Sequence, residues 1–187
     1  MGASENICRP RKNYETTLGK TSYSVDKGSY LLNSDIQAYD FDRLCKSLKN
    51  MRGDSTLSSC DALVEKDGSV YLIEFKNQPN KNINNAEIQK KAFDSVTQLL
   101  VTWERDTSQR VLSEKLVLFV VYHNPEDDES FEKIRNKTFS FIESDQTEPL
   151  LFGINDDLKS LFREVHTVDI SDFLETYYFS YLTDQPD

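Results

Sequence analysis

Apolar residues recur at helical spacing in two stretches of the chain. The first stripe is formed by Phe41, Leu44, Cys45 and Leu48. It predicts a helix from Ser34 to Lys49, for which Ser34 or Asp35 is available as the N-cap. The second stripe is formed by Ile88, Ala92, Val96, Leu99 and Trp103. It predicts a helix from about Ala86 to Glu104.

Two other stretches predict strands. In residues 60–77, CDALVEKDGSVYLIEFKN, β-branched and aromatic residues flank Asp67-Gly68, and Asp-Gly in such a setting is the strongest short-range hairpin signal. Residues 115–125, KLVLFVVYHNP, contain a continuous apolar run, which is typical of a strand that is buried on both faces. We therefore expect two antiparallel strands, the second helix and then a buried strand.

Shorter elements are predicted on both sides of this core. Residues 22–33, SYSVDKGSYLLN, are compatible with a short hairpin, and the rest of 1–33 receives no assignment. Downstream, the pattern predicts extended chain over 137–152, a helix over 156–164, a strand over 165–170 and a closing helix over 171–182. We expect one α/β (α+β) domain, residues 1–187, in which a mixed β-sheet is flanked by helices.

The two-residue turn at Asp67-Gly68 fixes the register of the hairpin. Lys66 must face Ser69, and by the same count Asp61 faces Glu74. Because the side chains of a strand alternate between faces, Lys76 shares the face of Glu74, one step further along. Asp61, Glu74 and Lys76 should converge, while the opposite face carries Ala62, Val64, Tyr71, Ile73 and Phe75.

Two opposed carboxylates repel each other unless a cation or a proton lies between them. Mg²⁺ meets this need because it binds carboxylate oxygens while keeping several waters, and it commonly acts together with substrate phosphates. Lys76 could then orient the attacking water or stabilise negative charge in the transition state. The alternative is an ordinary hairpin that carries an exposed Glu–Lys pair. A working site requires Lys76 to be at least half buried, with its amine directed toward Glu74 or Asp61.

Cys60-Asp61, a hairpin, and Glu74-Phe75-Lys76 followed by a helix resemble the core of the PD-(D/E)xK superfamily, the restriction-endonuclease-like phosphodiesterases. The resemblance covers residues 35–124 and leaves 125–187 as an acidic C-terminal extension of the same domain. It implies an α-β-β-β-α-β core and a nuclease that hydrolyses the DNA backbone with a metal-activated water. It also implies that Asp61 and Glu74 bind Mg²⁺ or Mn²⁺ and that Lys76 assists the nucleophilic water.

Three further features bear on the resemblance. Some branches of the superfamily carry a glutamine followed four residues later by tyrosine on the helix after E-x-K, and Gln89 and Phe93 occupy that spacing here. Many members also use an acid from the first helix, for which Asp40 and Asp42 are both candidates. The proline that names the motif is replaced by Cys60.

The composition restricts the class of function. With 187 residues, of which 37% are hydrophobic, the chain can bury one full core. The net charge of -10 argues against a general nucleic-acid binder. Residues 1–100 contain 14 basic and 13 acidic side chains, whereas 101–187 contain 8 and 19, so the acidity lies in the C-terminal part. The competing hypothesis is therefore a non-catalytic immunity- or inhibitor-type protein that presents this acidic part to a basic partner.

Charge placement should distinguish the two hypotheses. A nuclease would gather basic side chains around the mouth of the site, and the candidates are Lys20, Lys46, Lys49, Arg52, Lys81 and Lys91. The binding protein would show a continuous acidic surface there.

The remaining features predict no other chemistry. Cys8, Cys45 and Cys60 are scattered and form no CxxC pair, so a structural zinc site is not expected. The absence of a long apolar run predicts a cytoplasmic protein without a membrane span. Aromatic residues of DFLETYYFSYL, residues 172–182, should pack in the core, with a homodimer or protein-partner surface as the alternative.

Overall fold

The computed structural model describes residues 12–52, 57–102, 113–123 and 150–183 of the chain. Six strands form one mixed sheet in the order β1-β4-β5-β6-β7-β8, and β2 and β3 form a separate hairpin. The strands are β1 (Glu15–Thr17), β2 (Tyr23–Ser24), β3 (Ser29–Tyr30), β4 (Gln37–Asp40), β5 (Ala62–Lys66), β6 (Ser69–Lys76), β7 (Leu116–Tyr122) and β8 (Glu164–Asp169). The predicted α/β class with a mixed sheet is confirmed.

Two long helices pack on the sheet, and shorter helical turns connect the strands. The helices are α1 (Leu18–Thr21), α2 (Phe41–Arg52), α3 (Asn85–Thr102), α4 (Asp156–Lys159) and α5 (Ile170–Asp172), which continues as a π-helix (Phe173–Leu182). Short 3₁₀ turns cover Lys12–Tyr14 and Asn80–Asn82. None of the helices in the described ranges is long and apolar enough to cross a membrane.

The central hairpin has the register that its turn predicts. Lys66 pairs with Ser69, and the ladder continues to Ala62 opposite Ile73. Asp67 and Gly68 both have positive φ values, 50° and 75°, as a tight two-residue turn between twisted strands requires. Glu74 and Lys76 are two residues apart in β6, so their side chains lie on the same face of the strand.

The sheet changes from antiparallel to parallel at its centre. β5 and β6 are antiparallel, whereas β6, β7 and β8 are parallel. Parallel neighbours need a crossover, and α3 lies in the segment that connects β6 to β7. Residues 69–75 of β6 are buried, and so are residues 116–121 of β7, which accounts for the continuous apolar run in each strand.

The sheet separates two apolar layers. The layer on the side of α2 and α3 includes Leu63, Val70, Leu72, Leu116, Leu118, Val120, Phe41, Leu44, Ile88, Val96 and Leu99. The layer on the other side includes Ala62, Val64, Tyr71, Ile73, Phe75, Val117, Phe119, Val121, Phe173 and Leu182. Both faces of the hairpin are therefore as predicted, and the C-terminal aromatic stripe packs mainly against the second layer.

Several boundaries differ from the prediction. The first long helix begins at Phe41 instead of Ser34, because residues 37–40 pair with both β1 and β5 as strand β4. In the described chain, two strands and not three lie between α2 and α3, since β4 precedes α2. The helix that was expected over 156–164 ends at Lys159. Trp103 and residues 137–149 lie outside the described ranges.

We predict that Leu118→Ala lowers the free energy of unfolding by about 2–5 kcal/mol, because Leu118 is fully buried at the centre of the sheet. Urea denaturation followed by circular dichroism measures this change. The matched control is Val25→Ala, since Val25 is 83% exposed and should contribute less than about 0.5 kcal/mol. Equal midpoints for the two variants would show that the packing at Leu118 has been assigned wrongly.

Candidate active site

Asp61 lies where the pairing of β5 with β6 ends. Its main-chain N–H donates to the carbonyl of Ile73 at 3.1 Å, and its Oδ2 accepts a 2.8 Å hydrogen bond from the N–H of Phe75. The side chain thus takes the place of a ladder bond and holds its carboxylate at the end of the hairpin. The sequence reasoning placed Asp61 opposite Glu74, and the structure brings the two carboxylates to one site.

Glu74 is the most buried member of this site. Its side chain is 1% exposed, and its Oε1 lies 2.7 Å from Nζ of Lys91 and 3.1 Å from Nζ of Lys76. Its Oε2 is buried and has no hydrogen-bond partner among the described residues. A buried carboxylate oxygen without a partner is costly and has free capacity to accept a donor or a cation.

Lys76 is mostly buried and its amine is directed toward Glu74, which is the condition that distinguishes a working site from an exposed Glu–Lys pair. Its side chain is 14% exposed, so most of it is buried. Its Nζ lies 3.1 Å from Oε1 of Glu74 and donates a 2.6 Å hydrogen bond to Oε1 of Glu87. The prediction of a half-buried lysine that points to Glu74 is confirmed.

Two residues of α3 complete the cluster. Lys91 bridges both acids, with its Nζ 2.7 Å from Oε1 of Glu74 and 3.6 Å from Oδ1 of Asp61. Glu87, one helical turn earlier, holds Lys76. The sequence reasoning named Lys91 only as one of six basic candidates and missed Glu87. The Glu-x-x-x-Lys spacing next to the buried Ile88 is the signal that identifies this face of the helix.

Burial and mutual repulsion shift the two carboxyl groups. Loss of hydration raises the pKa of Glu74 to about 8, with a further increase from the charge of Asp61, while Lys91 and Lys76 oppose the rise. Burial also raises the pKa of Asp61, against the opposing effects of Lys91, the N–H of Phe75 and Lys76. Both groups therefore keep a proton to higher pH than an exposed carboxyl group does, and perturbed pKa values of this kind are concentrated at functional sites.

The two lysines remain charged in this setting. Burial is the largest single effect and by itself lowers a lysine pKa, but the charge of Glu74 and the other acidic partners together outweigh it, so the pKa of Lys76 and the pKa of Lys91 are both raised. Asp61 contributes to the shift of Lys91, and Glu87 to the shift of Lys76. The cluster therefore holds two ammonium groups against Asp61, Glu74 and Glu87.

The thiol of Cys60 is not a partner in this chemistry. Cys60 is buried, and its main-chain N–H donates to Oγ of Ser95 at 2.9 Å. Burial, together with the charges of Glu74 and Asp61, raises the pKa of the thiol, which stays protonated. Cys60 is therefore a small buried residue of the core.

Gln89 is not brought to the cluster. Its Nε2 donates to the main-chain carbonyl groups of Gly153 at 2.7 Å and Phe152 at 3.3 Å. At 100° per residue, Gln89 projects from a different side of α3 than Glu87 and Lys91 do. Gln89, which the family resemblance placed at the site, instead stabilises the loop around Gly153 through these hydrogen bonds.

The two acids near the start of α2 have separate roles. Oδ1 of Asp40 accepts a 2.9 Å hydrogen bond from the N–H of Arg43, which satisfies a donor in the first turn of the helix. Asp42 accepts a 3.1 Å hydrogen bond from Oγ of Ser59, and its charge adds to the increase in the pKa of Asp61. Of the two, Asp42 is electrostatically coupled to the site.

A cleft of about 370 Å³ leads to the cluster. Its lining includes Asp61, Lys76 and Glu87, together with Tyr23 of β2 and Lys27 of the turn that follows β2. Of the six basic residues expected at the mouth, Lys91 lies in the cluster, Lys46 pairs with Asp42 on the surface, and Lys20 and Lys81 are not part of the described lining of the cleft. The side chains of Lys49 and Arg52 lie outside the described part, as does the acidic stretch 126–129.

Asp61 and Glu74 are the two groups of the cluster that could hold a cation. In the described ranges, no group of three or more His, Cys, Asp or Glu side chains is placed to bind a metal. Asp61 and Glu74 nevertheless share a single ammonium partner, so both lie within reach of one cation, and Oε2 of Glu74 is available. Two carboxylates fit Mg²⁺, which completes its shell with waters and phosphate oxygens.

Comparison of the chain with protein-family models, with curated proteins and with solved structures found no match in any of the three.

We predict a pH dependence that is specific to Glu74. The unfolded chain loses this proton near the ordinary glutamate pKa, whereas the folded state keeps it until about pH 8. Between these values the folded state binds more protons, so wild-type stability relative to Glu74→Gln should fall as pH rises from 5 to 8, by at most about 1.4 kcal/mol per pH unit. Urea denaturation of both proteins at several pH values, with EDTA present, measures the difference.

Glu87→Gln provides the control, because the hydrogen bond and charge of Lys76 lower the pKa of Glu87 and its effect should be constant above pH 5. A constant difference between wild type and Glu74→Gln over the same range would contradict the raised pKa of Glu74.

Proposed function

We propose that this protein is a Mg²⁺- or Mn²⁺-dependent phosphodiesterase of the PD-(D/E)xK type that hydrolyses the backbone of DNA. The observation that carries the proposal is Glu74, a carboxylate that is almost completely buried, coupled to Asp61 and Lys76, with one oxygen left without a partner. The three residues lie in the order and register from which the sequence predicted a site.

The energetics favour a functional site over an incidental ion pair. A surface Glu–Lys pair contributes little and needs no burial. Removing several charged groups from water costs several kcal/mol per ion unless their contacts compensate, and Oε2 of Glu74 has no hydrogen-bond partner in the described part of the chain. Local strain or unsatisfied polarity of this kind is typical of sites that bind or convert a ligand.

The topology provides secondary support. Helix α2, the β5–β6 hairpin, helix α3 and strand β7 follow one another along the chain, with β6 and β7 parallel. The two acids and Lys76 lie at the open end of the hairpin, beside the N-terminal half of α3. β4 supplies a third antiparallel strand from before α2, so the proposed membership rests on the site and on the order of the later elements.

The roles of the residues follow from their contacts. Asp61 and Glu74 would hold the metal ion, which supplies Lewis acidity and a bound water of lowered pKa. Lys76 places an ammonium beside Glu74, where it can stabilise the negative charge that develops on a phosphoryl group. Glu87 fixes the position of that ammonium. Lys91 holds the two carboxyl groups close together and opposes the increase in their pKa values in the absence of other cations.

We predict that Lys76→Ala reduces metal-dependent DNA hydrolysis by about 10²–10³-fold, because it removes a buried positive charge from the site of charge development. Purified protein is incubated with linear duplex, circular duplex and single-stranded DNA in Mg²⁺ or Mn²⁺, and the products are resolved on gels. Glu74→Gln should be inactive as well.

The control for the loss of one lysine charge is Lys90→Ala. Lys90 lies next to Lys91 in the chain, but it pairs with Asp94 and Ser58 and not with Asp61 or Glu74. This variant should retain wild-type activity within about twofold. Equal activity of wild type and Lys76→Ala, or no hydrolysis of any DNA by wild type, contradicts the proposed function.

A further inference from the structure

The β2–β3 hairpin, which contributes residues to the lining of the cleft, carries exposed aromatic side chains. Among the described residues, large hydrophobic side chains are exposed at five positions, and three of them, Tyr23, Val25 and Tyr30, lie on β2–β3 and its turn. Tyr23 is 47% exposed and Tyr30 is 60% exposed, although each ring provides a large apolar surface. Two exposed aromatic rings side by side next to a cleft are typical of a surface that binds a planar ligand.

The two rings form one unit. Their centroids are 4.9 Å apart with an angle of 55° between the planes, and Tyr23 pairs directly with Tyr30 across the strands. Tyr23 also lines the 370 Å³ cleft that contains Asp61 and Lys76. A ligand that stacks on Tyr23 is therefore held in the same cleft as the catalytic cluster.

The base of this hairpin is fixed, although its tip is exposed. Ser22 is buried, its carbonyl accepts a 3.1 Å hydrogen bond from the N–H of Leu31, and its Oγ accepts one from the N–H of Leu32 at 3.2 Å. Leu32 is itself part of the second apolar layer. Because the base is anchored in the core, the tyrosines are presented in place and lose little conformational freedom when they bind.

The aromatic rings and the size of the cleft indicate the kind of ligand. Lys27 on the hairpin and Lys76 on β6 contribute two ammonium groups to its lining, whereas Asp26, Asp61 and Glu87 contribute three carboxylates. The lining therefore has no excess of positive charge, and stacking supplies the larger part of the affinity for a polynucleotide. A volume of about 370 Å³ is near the lower end of pockets that bury one small ligand, roughly 300–1,000 Å³, so the cleft has room for one nucleotide. Base faces are available for stacking on aromatic side chains only where the bases are unpaired.

We infer that the Tyr23–Tyr30 pair is a base-stacking platform that selects single-stranded polynucleotide, in the form of a strand end or an unpaired segment. The stacked strand is then positioned next to the Asp61–Glu74–Lys76 cluster. This inference rests on the proposed function for the site and adds its substrate class. Tyr23 is the positioning residue, because it lines the cleft and Tyr30 does not. Tyr30 supports that ring from the neighbouring strand.

Fluorescence anisotropy tests the platform separately from hydrolysis. Labelled oligothymidylate and a blunt hairpin duplex of the same nucleotide number are titrated with protein in EDTA, so that no metal-dependent cleavage occurs. Wild type should bind the single strand more tightly than the duplex. Tyr23→Ala should weaken single-strand binding by about tenfold, the effect of losing one stacked base, and Tyr30→Ala should weaken it less.

Two further variants distinguish stacking from a structural effect. Tyr23→Phe keeps the ring and should bind within about twofold of wild type. Phe179→Ala removes another exposed aromatic ring, on the closing π-helix, and should leave binding unchanged. Single-strand binding that is absent in wild type, insensitive to Tyr23→Ala, or no tighter than duplex binding overturns the inference.

The outcome for the platform is independent of the outcome for catalysis. Metal-dependent hydrolysis that is equally efficient on duplex and single strand, and unaffected by Tyr23→Ala, would preserve the proposed function and overturn the platform. Single-strand binding through Tyr23 without hydrolysis in any metal would preserve the platform and contradict the proposed nuclease.

Discussion

The carboxylate of Glu74 is the group on which the rest of the site depends. It lies near the end of β6, with β5 on one side and β7 on the other. It is buried and pairs with two charged lysines, which belong to different elements. Lys76 reaches it from its own strand and Lys91 from α3. Its position requires the hairpin register, the parallel pairing of β6 with β7 and the crossover through α3 to be maintained together.

That constraint explains how the fold and the cleft are connected. The helices α2 and α3 cover one face of the sheet, and the C-terminal π-helix covers the other, so β6 is enclosed along most of its length. Only the end that carries Lys76 reaches the cleft. Tyr23 of the β2–β3 hairpin lines the same cleft, and the hairpin carries exposed aromatic rings. It thereby adds an apolar surface next to a cluster that consists of charged side chains.

Much of this arrangement follows from local sequence. Asp67-Gly68 determines the turn, the turn determines the register, and the register places Asp61, Glu74 and Lys76 together. The apolar stripes of α2 and α3 and the run in β7 were likewise sufficient to identify these elements. The start of α2 was not predictable in the same way, because residues 37–40 become a strand only when β1 and β5 are present to pair with them.

The residues of α3 show where sequence reasoning needs the tertiary structure. Gln89 has the spacing that the family resemblance implies, but the helix directs its amide to the carbonyl groups of Phe152 and Gly153. Glu87 and Lys91 face the carboxylates instead, and their rotation about the helix axis depends on how Ile88 and Ala92 pack in the core. A helical pattern defines the apolar face, whereas the partners of its polar edge depend on the neighbouring elements.

The central claim is that Asp61 and Glu74 together bind a divalent cation, and calorimetric titration of Mg²⁺ tests it most directly. The titration is made at pH 9, above the pKa of about 8 for Glu74, into wild type, Asp61→Asn and the control Asp67→Asn, whose side chain lies in the turn at the far end of the hairpin. One Mg²⁺ should bind to wild type and to Asp67→Asn with equal affinity, and at least about tenfold more weakly to Asp61→Asn, which should remain folded. Failure of wild type to bind Mg²⁺, or equal affinity in all three proteins, would contradict the claim.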